Sequence, residues 1–89
     1  MAERVVGPVL SSNRVGEAVA AALAQLNPGV VVEHRGGYLR VSAPERCTLT
    51  RRAVEVELGA SFVLPGDLER VMPSFRGRLV LGEEEVRWE

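Results

Sequence analysis

Eighty-nine residues, 46% hydrophobic and 26% charged, describe one folded domain spanning residues 1–89, with a core that hides roughly 60 to 65% of the surface of the unfolded chain. No apolar run approaches the roughly 18 residues of a membrane span, which excludes a membrane-embedded protein. A formal net charge of -1, with eleven arginines scattered among eleven glutamates and one aspartate, lacks the clustered positive excess that phosphate neutralisation needs, so nucleic acid is not an expected partner.

The first segment, "MAERVVGPVL", carries one arginine, and its apolar run is too short and too broken by Gly7 and Pro8 for a signal peptide; the cytoplasm is the expected compartment. Arg4 to Leu10 reads as a strand, and Pro8, which has no N–H to give a ladder, belongs at an edge, a bulge or a strand end. Asn13 is a suitable N-cap for a helix over Arg14 to Leu26, where Val15, Ala18, Val19, Ala22, Leu23 and Leu26 recur at helical spacing and Glu17 favours the positive end of the helix dipole. Asn27-Pro28-Gly29 stops that helix.

"VVVEHRGGYLRVS" predicts a hairpin turning at Gly36-Gly37, with Leu39 and Val41 toward the core and Tyr38, Arg40 and Ser42 on the opposite side. After the "APE" turn comes a short half-buried strand containing Cys47. A second helix follows over Arg51 to Leu58, capped by Thr50, stapled by Leu49 against Val54 and ended by Gly59. Pro65-Gly66 marks a turn, and "DLERVM" predicts a short helix capped by Asp67 and ended by Pro73. The last element is a hairpin, Arg78 to Leu81 and Glu85 to Trp88, with Glu83 to Glu85 as solvated turn charge. The fold class is therefore α+β: antiparallel sheets and two main helices in the order β-α-β-β-β-α-α-β-β.

Nothing in this inventory performs chemistry. One cysteine and one histidine, Cys47 and His34, cannot form an internal disulfide or a zinc or iron–sulfur site, so no metal is expected. Serines 11, 12, 42, 61 and 74 have no base held near them by the predicted fold, because His34 ends a strand beside a turn; it reads either as an ordinary strand-end residue or as a pH-sensitive one. "GGYLR" opens no helix and no Walker-type sequence exists, so no cofactor is expected and no residue is assigned a catalytic role. Arg46 is a weak activator for Cys47, which reads as inert packing. The use of arginine for every basic residue fits an interface rich in forked hydrogen bonds or a coding bias. A binding or regulatory protein remains, with a small-molecule-binding regulatory domain and a small metal-free enzyme as the other classes.

"VGPVLSSNRVGEAVAAALAQLNPGVVVEHRGGYLRVSA", "LTRRAVEVELGASF" and "MPSFRGR" together resemble the small effector, or coupling, proteins of soluble diiron monooxygenases, the toluene, alkene, phenol and methane systems. "VGPV" looks nearest the toluene and alkene branch; the long N-terminal tail of the methane branch is not in this sequence, so a mechanism resting on that tail is not carried over. The resemblance implies a cofactorless protein that docks on the hydroxylase near its diiron site and tunes oxygen activation, substrate entry and coupling. It further implies hydroxylase contact at Met72, Pro73, Ser74 and Phe75, with Arg76 at the rim. From the residues themselves, Met72 and Phe75 are either anchors on a loop stiffened by Pro73 or fillers of the core between the second helix and the last hairpin.

Overall fold

A computed structural model describes residues 4–89. Strand β1 (Val5–Ser11) is followed by helix α1 (Arg14–Leu26), strands β2 (Val31–Arg35), β3 (Tyr38–Pro44) and β4 (Cys47–Thr50), and helices α2 (Arg51–Leu58) and α3 (Gly66–Val71). Strands β5 (Ser74–Arg76), β6 (Leu79–Leu81) and β7 (Glu85–Trp88) close the chain. Two antiparallel sheets result, one ordered β2-β3-β1-β5 and the other β4-β7-β6.

Local chemistry accounts for most boundaries. Asn13 is extended and its side chain accepts the Gly16 N–H at 2.8 Å, and Thr50 accepts the Ala53 N–H at 3.2 Å, so each main helix starts where a side-chain oxygen satisfies a free donor. Leu39, Val41 and Ala43 are buried while Tyr38, Arg40 and Pro44 are exposed, the alternation of a sheet wet on one side. One cluster joins Val6 and Leu10 of β1, Val19 and Leu23 of α1, Val54 of α2, Phe62, Leu68 of α3 and Trp88 of β7. That core spans both sheets and all three helices.

Four expectations need correction. Pro8 stands in an interior strand, not at an edge: β1 pairs with β3 on one side and β5 on the other. The β3 ladder tolerates it by going unpaired at Gly7 and Pro8 while keeping register, Val6 opposite Ala43 and Val9 opposite Arg40. Leu26 is 40% exposed, while Gly16 and Ala20 are buried, since α1 is gripped by α2 as well as by the sheets. Asp67 does not cap α3. Pro65 holds that position, and the Asp67 carboxylate instead accepts the Val63 N–H at 2.8 Å while its own N–H goes to the Val63 carbonyl. Lastly, "SFR" is a strand rather than a loop, which adds a tenth element.

Asn27 does more than stop α1. Its amide donates to the Leu23 carbonyl at 2.9 Å and to the Thr48 carbonyl at 2.8 Å, and its Oδ1 accepts the Thr48 N–H at 2.8 Å. One side chain thus finishes the helix and fastens it to β4.

Candidate functional site

The segment from Met72 to Arg76 leaves α3 and lies along the free side of β1. Its two large side chains part company. Met72, the C-cap of α3, is 8% exposed and belongs to the core cluster, whereas Phe75 is 41% exposed on β5. Pro73, Ser74 and Arg76 are exposed. Met72 therefore anchors the segment from below, and Pro73 to Arg76 form its accessible surface.

The register explains how three residues make a strand here. Gly7 lies opposite Arg76, Pro8 opposite Phe75 and Val9 opposite Ser74. By alternation, Ser74 and Arg76 share the outward side with Val9, and Phe75 shares the inward side with the buried Pro8 at the margin of the core. Arg76 then crosses over Gly7, and its guanidinium donates to the Ser42 hydroxyl of β3 at 2.7 Å. A side chain at residue 7 would obstruct that crossing. The backbone forbids one as well: with φ +139, a Cβ there would lie 2.3 Å from the Val41 carbonyl oxygen.

Gly77 fixes the other end. Its φ is +99, and an added Cβ would lie 2.7 Å from the Val6 side chain. Immediately after it, Arg78 and Glu89 exchange backbone hydrogen bonds of 2.7 and 2.9 Å, which starts the β6–β7 hairpin. Phe75 is thus presented on a short strand bounded by a proline, a conformationally obligatory glycine and an arginine bridge. Stiffness of this kind lowers the entropy lost when such a residue is fixed against a partner. Ser42 and Gly7 were not legible as parts of this site, since nothing in the sequence marks residues far apart in the chain as lying on either side of one arginine.

The remaining polar groups are structural in geometry. Arg51 donates to Glu84 at 2.9 and 3.1 Å and to Glu55 at 2.9 Å, and Glu55 also accepts the Phe62 N–H at 3.0 Å. These bonds tie α2, the segment after it and the β6–β7 turn around a cleft of about 340 Å³. The hydrogen bond to Glu84, then the fields of Glu55 and Glu84, raise the Arg51 guanidinium pKa above its ordinary value. Neither His34 nor Cys47 lines that cleft. His34 lies 3.8 Å from Glu17 at the surface, an ion pair when protonated. Cys47 is fully buried on the inward side of the half-buried strand β4, and burial pushes its thiol up to about 11. Among the described residues no group of three or more His, Cys, Asp or Glu side chains is placed to hold a metal ion, and no helix is long and apolar enough to cross a membrane.

Comparison with known proteins gives the same architecture a lineage. Two chains from structures of a phenol hydroxylase–regulatory protein complex superpose with TM-scores of 0.87 and 0.81, covering 97% of this chain and 98% and 99% of theirs. At 21% and 23% identity they establish the α+β fold. The effector subunit of the alkene monooxygenase system of Xanthobacter autotrophicus is 42% identical over 90 aligned residues, which cover 99% of this chain and 88% of that protein. The MmoB/DmpM family model matches residues 4–89, so with this fold, this extent of match and this relative, the chain belongs to the MmoB/DmpM family.

Proposed function

We propose that this protein, residues 1–89 acting as a single domain, is the effector component of a cytoplasmic diiron monooxygenase. It has no catalytic residue, cofactor or metal of its own. It binds the hydroxylase component and tunes oxygen activation, substrate access and the coupling of electron transfer to hydroxylation or epoxidation. The observation that carries this reading is the 42% identity, over nearly the whole chain, to a monooxygenase effector subunit. The residue inventory agrees, because the one histidine is a surface residue and the one thiol is buried and held neutral.

The hydroxylase contacts Pro73, Ser74, Phe75 and Arg76, and Met72 supports them from the core. Phe75 is the anchor. A phenylalanine left partly exposed on a braced edge strand offers apolar area for burial by a partner with little further ordering. Arg76, already committed to Ser42, acts through the shape of the edge as well as its charge.

The test is turnover by the cognate hydroxylase, with its reductase, with and without this protein. Product formation should rise and become better coupled to electron consumption when the protein is added, and the protein alone should be inactive. Turnover and coupling that are unchanged by a saturating amount would refute the assignment.

A further inference from the structure

Among the described residues, the side of the β2-β3-β1-β5 sheet away from α1 is left open. Val5, Val31 and Tyr38, all on that side, are 41, 55 and 51% exposed, and Val9 lies half-buried between them. The register spreads them over the face: Val5 is opposite Pro44 and Val31 opposite Ser42 toward one end, Tyr38 is opposite both Ser11 and Arg35 at the other, and Val9 is opposite Arg40 between them. Exposed apolar side chains interleaved with arginines on one face of a small domain suit a contact surface.

Its charge differs from that of the chain. Three arginines, Arg35, Arg40 and Arg76, point to this side against one glutamate, Glu33, in a molecule whose net charge is -1. Glu33 is taken by Arg35 at 3.1 Å. Among the described residues, Arg40 has no carboxylate partner and Arg76 bonds to the neutral Ser42 hydroxyl. Tyrosine and arginine beside aliphatic residues are the types enriched where proteins meet, and two unpaired guanidiniums call for carboxylates opposite them. A second copy of this chain would set arginine against arginine. The face also meets the proposed docking edge at β5, where Ser74 and Arg76 share it and Phe75 lies on the other side of the strand.

We propose that this sheet face, centred on Tyr38 and Arg40, is a second contact surface for the hydroxylase, receiving aliphatic and acidic side chains across β5 from the pocket that takes Phe75. The proposal rests on the effector reading above. Phe75 contributes the apolar anchor, and the sheet face contributes orientation and a salt-sensitive association rate.

The test measures binding to the cognate hydroxylase at low and at physiological salt for the parent protein, Arg40→Glu, Arg40→Lys, Tyr38→Ala and Phe75→Ala, with thermal unfolding of each alone. Arg40→Glu should weaken binding at least tenfold at low salt and flatten its salt dependence, Arg40→Lys should retain most of the affinity, and Tyr38→Ala should weaken it several-fold. Arg40→Lys and Tyr38→Ala should melt with the parent, since both side chains face solvent, and Arg40→Glu a few degrees lower, because it sets a carboxylate opposite Glu33. Affinities of Arg40→Glu and Tyr38→Ala within twofold of the parent would overturn the proposal while leaving the effector reading intact if Phe75→Ala still weakens binding. Loss of affinity in the sheet variants with none in Phe75→Ala would support this face and remove the β5 anchor instead. A parent that does not bind the hydroxylase would overturn both. Self-association of the parent abolished by Arg40→Glu would give the face to a second copy and overturn the proposal.

Discussion

Replacing Phe75 with alanine separates docking from packing, because the two roles predict effects on different quantities. Phe75 is 41% exposed, so only part of its surface is already covered. Full burial of a phenylalanine contributes about 1.5 to 3 kcal/mol, and losing roughly half of that should cost the free protein about 0.8 to 1.5 kcal/mol. For a domain of this size that corresponds to a fall in Tm of about 3 to 12 °C. Against the hydroxylase, the same substitution removes a central apolar anchor, whose loss costs about 2 kcal/mol or more and weakens the complex about thirty-fold. A core phenylalanine would behave otherwise, losing about 3 to 5 kcal/mol of folding free energy with no specific effect on association. The assay follows thermal unfolding and the half-maximal activating concentration side by side, well below the variant's Tm. A severe loss of stability with unchanged activation by the folded fraction would refute the placement of the docking edge at Pro73 to Arg76.

Leu23→Ala should cost about 2 to 5 kcal/mol in denaturant unfolding, since Leu23 is fully buried between α1 and its neighbours, and activation should fall only as far as the protein unfolds. Gly77→Ala should cost about 2 kcal/mol or more, because the residue has φ +99 and its Cβ would press on Val6; a variant as stable as the parent would mean that Val6 and the β5 end yield freely. Cys47 should give a pH signature. Its thiol titrates near 9.0 when unfolded and about 11 when folded, so the unfolded chain loses its proton first as pH rises. The stability it contributes is therefore fully present below about pH 9 and is lost by about pH 11, roughly 3 kcal/mol in all; Cys47→Ala should lack this loss, so the stability difference between parent and variant should change by that amount across the window. Thiol reagents at pH 8 should label Cys47 quickly only after denaturation.

Some of this protein was decided along the chain itself. Asn13 and Thr50 cap α1 and α2 at the residues the sequence indicates, Gly59 ends α2 in the left-handed conformation, and the Gly36-Gly37 hairpin sends Leu39 and Val41 inward and Tyr38, Arg40 and Ser42 outward. Caps, turns and strand alternation are interactions among residues a few positions apart, so the local sequence contains both partners. The tertiary structure alone decided the rest. Pro8 could sit inside a sheet because β3 and β5 supply pairing around it, and "SFR" became a strand because β1 had a free side. Met72 and Phe75, alike in hydrophobicity and three residues apart, were separated into core and surface by the direction in which the chain leaves α3. The Arg76–Ser42 bridge spans 34 positions of sequence across a glycine that only the assembled sheet brings between them. Burial and cross-strand contact are properties of three-dimensional neighbourhood, and one linear sequence does not state which distant residues will become neighbours.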